Sequence, residues 1–217
     1  DTATATDSTP PAVELNVVIN ADGSATLSGT TEPGATLIVQ GPNGAAVPVT
    51  VAPDGSISGS IAAPALAGNY TATATDINGN TATDTATATD STPPAVELNV
   101  VINADGSATL SGTTEPGASV TVRGPDGAAV PVTVAPDGSL SGSIAAPALA
   151  GSYTATATDI NGNIATDTAT AVDNIAPIPG SLSLADFSDT GISLSDGISN
   201  DNTFNLTLTG QETGSTR

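Results

Sequence analysis

The chain has 217 residues, with 22 Asp and Glu against two Arg, no Lys, His or Cys, and a net charge of −20. Such a field repels phosphate backbones and anionic headgroups, which excludes nucleic acid and electrostatic membrane contacts as partners. The missing side chains exclude a Ser-His-Asp triad, a thiolate nucleophile, Schiff-base chemistry and any nitrogen or sulfur metal ligand.

Carboxylate pairs can hydrolyse glycosides, but their clefts use aromatic platforms, and aromatics are 2% of this chain; the expectation is a protein that is not an enzyme. Apolar residues are mainly Ala and Val, and none of their runs approaches the roughly 18 to 20 residues that cross a bilayer. The chain therefore reads as soluble, without a signal peptide and without membrane insertion.

In chain order, residues 1–6 read as the end of a preceding unit, and Asp7 opens a Ser-Thr-Pro-Pro hinge. Apolar period two then predicts seven strands at about 12–19, 25–31, 36–40, 46–52, 57–62, 69–75 and 80–89. Turns fall at "NADGS" (20–24), "TEPGA" (31–35), "GPNG" (41–44), "APDGS" (52–56), "PALAG" (64–68) and "DINGN" (76–80), built from residues that accept positive φ or set φ near −65°. Pro48 marks the fourth strand as an edge. Inward candidates are Leu15, Val17, Leu27, Leu37, Val39, Val49, Val51, Ile57, Ile61 and Leu66, a thin core. In the sixth strand Tyr70, Ala72 and Ala74 share a face. Tyr70 occupies the tyrosine-corner position of immunoglobulin-like sandwiches, with a partly exposed strand tyrosine as the alternative. Asp84 shares the parity of Ala82, Ala86 and Ala88 and needs a partner, a bulge or a late strand start.

At Asp84 the sequence starts again. Residues 84–166 repeat 1–83 at 75 of 83 positions; Gln40/Arg123, Asn43/Asp126 and Thr81/Ile164 are among the exceptions. A third start, "DTATAVDNIAP" from Asp167, keeps the seam and then diverges. The expected organisation is all-β: tandem seven-stranded immunoglobulin-like sandwiches in a linear array, with repeat one at 7–90, repeat two at 91–173, and 174–217 the beginning of a divergent third.

Up-and-down strand directions place turns 20–24 and 64–68 at the C-terminal pole of a repeat, and turns 31–35 and 76–80 at its N-terminal pole. The first seam then gathers Asn20 and Asp22 from repeat one, Asp90 from the linker, and Asp159, Asn161 and Asn163 from repeat two. All are hard oxygen donors, and calcium accepts six to eight of these in irregular geometry. Asp105 is the counterpart of Asp22. "NADGS" and "DINGN" are also good hairpin turns in their own right, and Glu32 and Glu115 read as solvated. Asp90 differs, because no turn requires an acid before Ser-Thr-Pro-Pro. In the third unit Asp186, Asp189, Asp196 and Asp201 crowd one loop before a strand at about 203–209, again suiting calcium but without EF-hand spacing.

The seam "TDSTPPAV", its variant "VDNIAP", "SGTTEPGA", "YTATATDINGN" and "DTGISLSDGISNDNTFNLTLTG" together resemble the bacterial immunoglobulin-like repeats of giant surface adhesins, of the biofilm-associated-protein and type I-secreted kinds. The resemblance spans nearly the whole chain. It implies a non-catalytic extender on the extracellular bacterial cell surface, stiffened by interdomain calcium and serving cell adhesion and biofilm formation. The implied partners are neighbouring repeats of the same chain, with host or abiotic surfaces met by other parts of the protein. Carried over by position, the family's linker aspartate falls on Asp7, Asp90 and Asp173, and its loop oxygens on Asp76 with Asn78 and on Asp159 with Asn161. The shorter first loops of the two near-identical repeats depart from the third.

Two rivals stand beside this reading. A sugar- or protein-binding immunoglobulin-like module is disfavoured by few aromatics and two nearly identical copies. Assembly into functional amyloid is disfavoured by frequent Pro, Gly and Asp.

Overall fold

The computed structural model describes residues 7–176, 181–185 and 205–210. Repeat one contains β1 (Val13–Ile19), β2 (Ala25–Thr31), β3 (Thr36–Gln40), β4 (Ala46–Val47), β5 (Val49–Val51), β6 (Ser56–Ile61), β7 (Gly68–Thr75) and β8 (Thr81–Ala88). Repeat two reproduces them as β9 (Val96–Ile102), β10 (Ala108–Thr114), β11 (Ser119–Arg123), β12 (Ala129–Val130), β13 (Val132–Val134), β14 (Ser139–Ile144), β15 (Gly151–Thr158) and β16 (Ile164–Ala171). Each repeat is a sandwich of two antiparallel sheets, β1-β2-β6-β5 against β4-β3-β7-β8, and the same order recurs in repeat two. The described residues form an all-β chain of immunoglobulin-like sandwiches, as the period-two pattern requires.

The fourth strand departs from expectation. It is not one edge strand over 46–52 but two short ones in different sheets: β4 pairs with β3, and β5 pairs with β6. Pro48 sits at the division. Lacking an N–H it cannot donate to a ladder, so the chain changes sheet where that donor would be missing.

The core is as thin as the composition implies. Leu15, Val17, Leu27, Val39, Ile57, Tyr70, Ala72 and Ala74 are buried, whereas Leu37, Val49, Val51, Ile61 and Leu66 are only half-buried. Small residues fill the rest: Ala25, Ala35, Ala65 and Ala88 are buried as well. Tyr70 is enclosed, and its hydroxyl donates to the Leu66 carbonyl at 2.8 Å, while Tyr153 does the same to Leu149. This is the tyrosine corner, and burial raises the phenol pKa of both residues.

Asp84 keeps its place in β8 opposite Ala72, with neither bulge nor late start. Its partner lies across the sandwich: Oδ2 accepts the Leu15 backbone N–H of β1 at 2.7 Å, and Asp167 accepts that of Leu98 identically.

In the third unit β17 (Ser181–Ala185) pairs antiparallel with β18 (Asn205–Thr209). Asp186, Asp189, Asp196 and Asp201 lie outside the described residues.

Candidate functional site

The residues with the most unusual surroundings lie where repeat one meets repeat two. Three segments of repeat one face it. The turn 20–24 is closed by Asp22, whose Oδ1 accepts the Ser24 N–H at 3.0 Å and the Ser24 hydroxyl at 2.6 Å. The loop 62–67 is tied to that turn by Ala65 N–H donating to the Gly23 carbonyl at 2.8 Å. The linker begins at Asp90, whose Oδ1 accepts the Thr92 N–H at 3.0 Å. An acid before Ser-Thr-Pro-Pro thus does have a turn to serve, contrary to the sequence reading. Asp7 and Asp173 close the same turn with Thr9 and Ile175.

Repeat two contributes the turn 159–163. Asp159 organises it by accepting the Asn161 and Asn163 N–H groups on Oδ1 at 2.9 and 2.8 Å and the Asn163 side-chain amide on Oδ2 at 2.9 Å. With that acceptor fixed, Asn161 projects toward repeat one. Its Nδ2 donates to Asp90 Oδ2 at 2.8 Å and to the Ala65 carbonyl at 3.1 Å, and its Oδ1 accepts the Ala67 N–H at 2.7 Å. Asn163 adds a longer bond to the Asp90 carbonyl at 3.4 Å. In repeat one, Asn78 and Asn80 make the corresponding bonds to Asp7, at 3.0 and 3.3 Å. Asn80 holds the Asp76 carboxyl below its ordinary range, against a smaller opposing effect of burial, and backbone donors at 78–80 assist.

The sequence-predicted residues therefore separate. Asp90, Asp159 and Asn161 meet at the seam. Asn20 does not reach across it: its amide is spent on Ser24 and Thr26 at 2.9 and 3.1 Å. Asp105 holds its own turn through Ser107, as Asp22 does through Ser24, and in both the serine pulls the carboxyl pKa down. Asp189, Asp196 and Asp201 fall outside the described residues.

One seam residue was not legible. Glu115, expected to be solvated, is buried at 8% exposure, while its counterpart Glu32 is exposed. Its carboxylate lies against Gly23 of repeat one so closely that a Cβ there would collide with it. Burial raises the Glu115 pKa above 4.5, and the like charges of Asp159, Asp90 and Asp22 raise it further. Nothing in "TEPG" marks which copy is covered; only the facing pole does.

The donors Asp22, Asp90, Glu115 and Asp159 are all hard oxygens, the chemistry calcium takes. As the side chains stand, no three carboxylates among the described residues converge on one point. A shallow groove of about 310 Å³ lies in repeat one, lined by Pro42, Pro48, Pro64 and Tyr70 among others, and is repeated at about 320 Å³ in repeat two.

Immunoglobulin-like sandwiches in tandem, joined through a linker that opens with Asp90, define the class: a protein of tandem immunoglobulin-like repeats. The family model described as "Bacterial Ig domain" matches residues 10–90 and again 93–174, and the chain belongs to that family. Among solved structures it is similar to a tetra-tandem repeat in the extending region of a large adhesion protein, with 30% identity over 82% of this chain and 53% of that one and a TM-score of 0.42. The chain thus spans about half the length of that structure. It is also similar to a 1.5-MDa bacterial ice-binding adhesin (20% identity, 82% and 70% covered, TM-score 0.35) and to the BSP domain of a biofilm associated protein (25%, 77% and 30%, TM-score 0.29). The comparison with curated proteins finds no match.

Proposed function

We propose that these repeats are a non-catalytic extender: a stalk of an extracellular bacterial adhesin that holds other parts of the protein away from the cell during attachment and biofilm growth. The observation that carries this reading is the seam, where each contacting residue belongs to a repeat that is nearly copied in its neighbour. An array so built gains length with each copy without needing a new interface.

Calcium fits this role by drawing the side chains of Asp22, Asp90, Glu115 and Asp159, which face the seam without converging, onto one ion. Bound there, its double positive charge would offset part of the mutual repulsion among four carboxylates that otherwise opposes docking, and bending the linker would then break charged contacts. The test is small-angle scattering of the chain in millimolar calcium and in chelator. Calcium should give an extended rod, each repeat adding roughly 40 Å from strands rising about 3.3 Å per residue plus their loops. It should also raise the melting temperature, as any ligand of the folded state does. Asp90→Ala should leave both sandwiches folded and remove calcium's effect on the scattering profile. Identical profiles and melting curves in calcium and chelator would remove the metal from this account.

A further inference from the structure

We infer that Asn161 is the residue by which a repeat recognises the repeat before it, and that this recognition requires no metal. Its carboxamide is fully used: both Nδ2 hydrogens and Oδ1 have partners, at 2.7 to 3.1 Å, and all belong to the linker or to repeat one. The orientation of the amide is dictated by backbone. Ala67 offers only an N–H and Ala65 only a carbonyl, so Oδ1 must face the first and Nδ2 the second. Aspartate could not donate to Ala65 or to Asp90, and glutamine carries its amide one methylene too far.

What Asn161 reads is main chain, presented in a fixed shape by the tyrosine corner. The Leu66 carbonyl is taken by Tyr70, leaving the flanking Ala65 carbonyl and Ala67 N–H for Asn161. Any repeat carrying that tyrosine and a small-residue loop offers the same pair.

Burial supports the assignment independently. Ala65 is enclosed and Leu66 and Ala67 half-buried at the seam, whereas in repeat two the matching Leu149 is 49% exposed and Ala150 is open. On the receiving side Ile160 is 48% exposed, and its counterpart Ile77 at the other pole of repeat one is 94% exposed. The eight positions at which the two copies differ include none of the residues in these contacts. Ile77–Asn78 and Ala148–Ala150, at the outer poles of the pair, are accordingly the equivalents of the two halves of this seam.

This inference goes beyond calcium stiffening, and its test separates the two. The chain lacks cysteine, so Cys can be introduced at the exposed, equivalent Thr50 and Thr133 and spin-labelled in the full chain. In chelator the wild-type distance distribution should be narrow. Asn161→Ala should lower the ratio of docked to undocked conformers about tenfold, the order expected from losing hydrogen bonds of modest net worth. Asn161→Asp should lower it at least as far, and Asn78→Ala should leave it unchanged. Melting curves of all three variants should show both sandwiches intact, because the Asn161 side chain makes no bond within its own sandwich and Asn78→Ala loses only a bond to the exposed Asp7. A chelated wild type as broad as Asn161→Ala would overturn the inference while leaving calcium stiffening standing. A narrow distribution in chelator that calcium does not change would do the reverse.

Discussion

Asp84 and Leu15, 69 residues apart, close one side of the first sandwich: the aspartate in β8 accepts the free-edge N–H of β1 at 2.7 Å. A strand edge with an unpaired donor invites pairing with another chain. Here a side chain fills the place of the missing strand, so the carboxylate that looked misplaced over the core joins the two sheets.

Replacing Asp84 by Ala strands the Leu15 N–H, and loss of a charge-assisted hydrogen bond costs about 1.5 to 3 kcal/mol. Asp84→Asn keeps an acceptor and should cost less. In urea unfolding, Asp84→Ala should shift the transition of repeat one to lower denaturant and leave repeat two, held by Asp167, in place. A single transition at the wild-type midpoint would show that the bond contributes nothing.

Tyr70→Phe and Tyr153→Phe remove the same corner hydrogen bond and should each cost their own repeat about 1 kcal/mol. Only Tyr70 shapes the loop that Asn161 grips, so only Tyr70→Phe should also broaden the Thr50–Thr133 spin-label distances. Equal broadening by both variants would mean that the corner does not act on the seam.

Gly117 and Gly34 are equivalent and share a left-handed backbone, with φ of +86° and +89°. An Ala side chain is strained in that region by about 1 to 2 kcal/mol at either site. At Gly117 a Cβ would also run into the Pro64 ring of repeat one, whereas at Gly34 it meets nothing within 4 Å. Gly117→Ala should therefore undock the repeats and Gly34→Ala should not, with similar losses of melting temperature. Scattering profiles in which the two variants are equally extended would place Pro64 away from the seam.

Acid should act twice, in opposite directions. The Glu115 pKa is raised above 4.5 in the docked state, chiefly by burial and then by Asp159, Asp90 and Asp22. Docking should accordingly strengthen in chelator as pH falls from neutral through that raised value toward 4.5. The carboxyls of Asp22, Asp54, Asp105 and Asp137 are lowered from 3.8 by serine donors in their turns. Their contribution is present above 3.8 and is lost as pH falls through the lower folded-state values. Spin-label distances should narrow in the first window, melting temperature should drop in the second, and Glu115→Gln should abolish the first change alone. Persistence of the acid narrowing in Glu115→Gln would assign it to another group.

Local order was legible because it is periodic and short-range. The Thr/Ala alternation of 71–75, the turn residues at 76–80 and the position of Tyr70 specify strand, hairpin and corner through φ preferences and side-chain parity that act within a few residues. The identity of two copies makes the array evident without any geometry. Tertiary structure alone decided matters in which one residue meets another far along the chain. It paired Asp84 with Leu15, and it broke the fourth strand at Pro48 because the missing donor there coincides with a change of sheet. It also made Glu115 different from Glu32, and Asn161 different from Asn78, although each pair stands in the same local sequence. A residue's burial and hydrogen-bond partners depend on the surface opposite it, and identical words in a repeat carry no mark of which pole they will face.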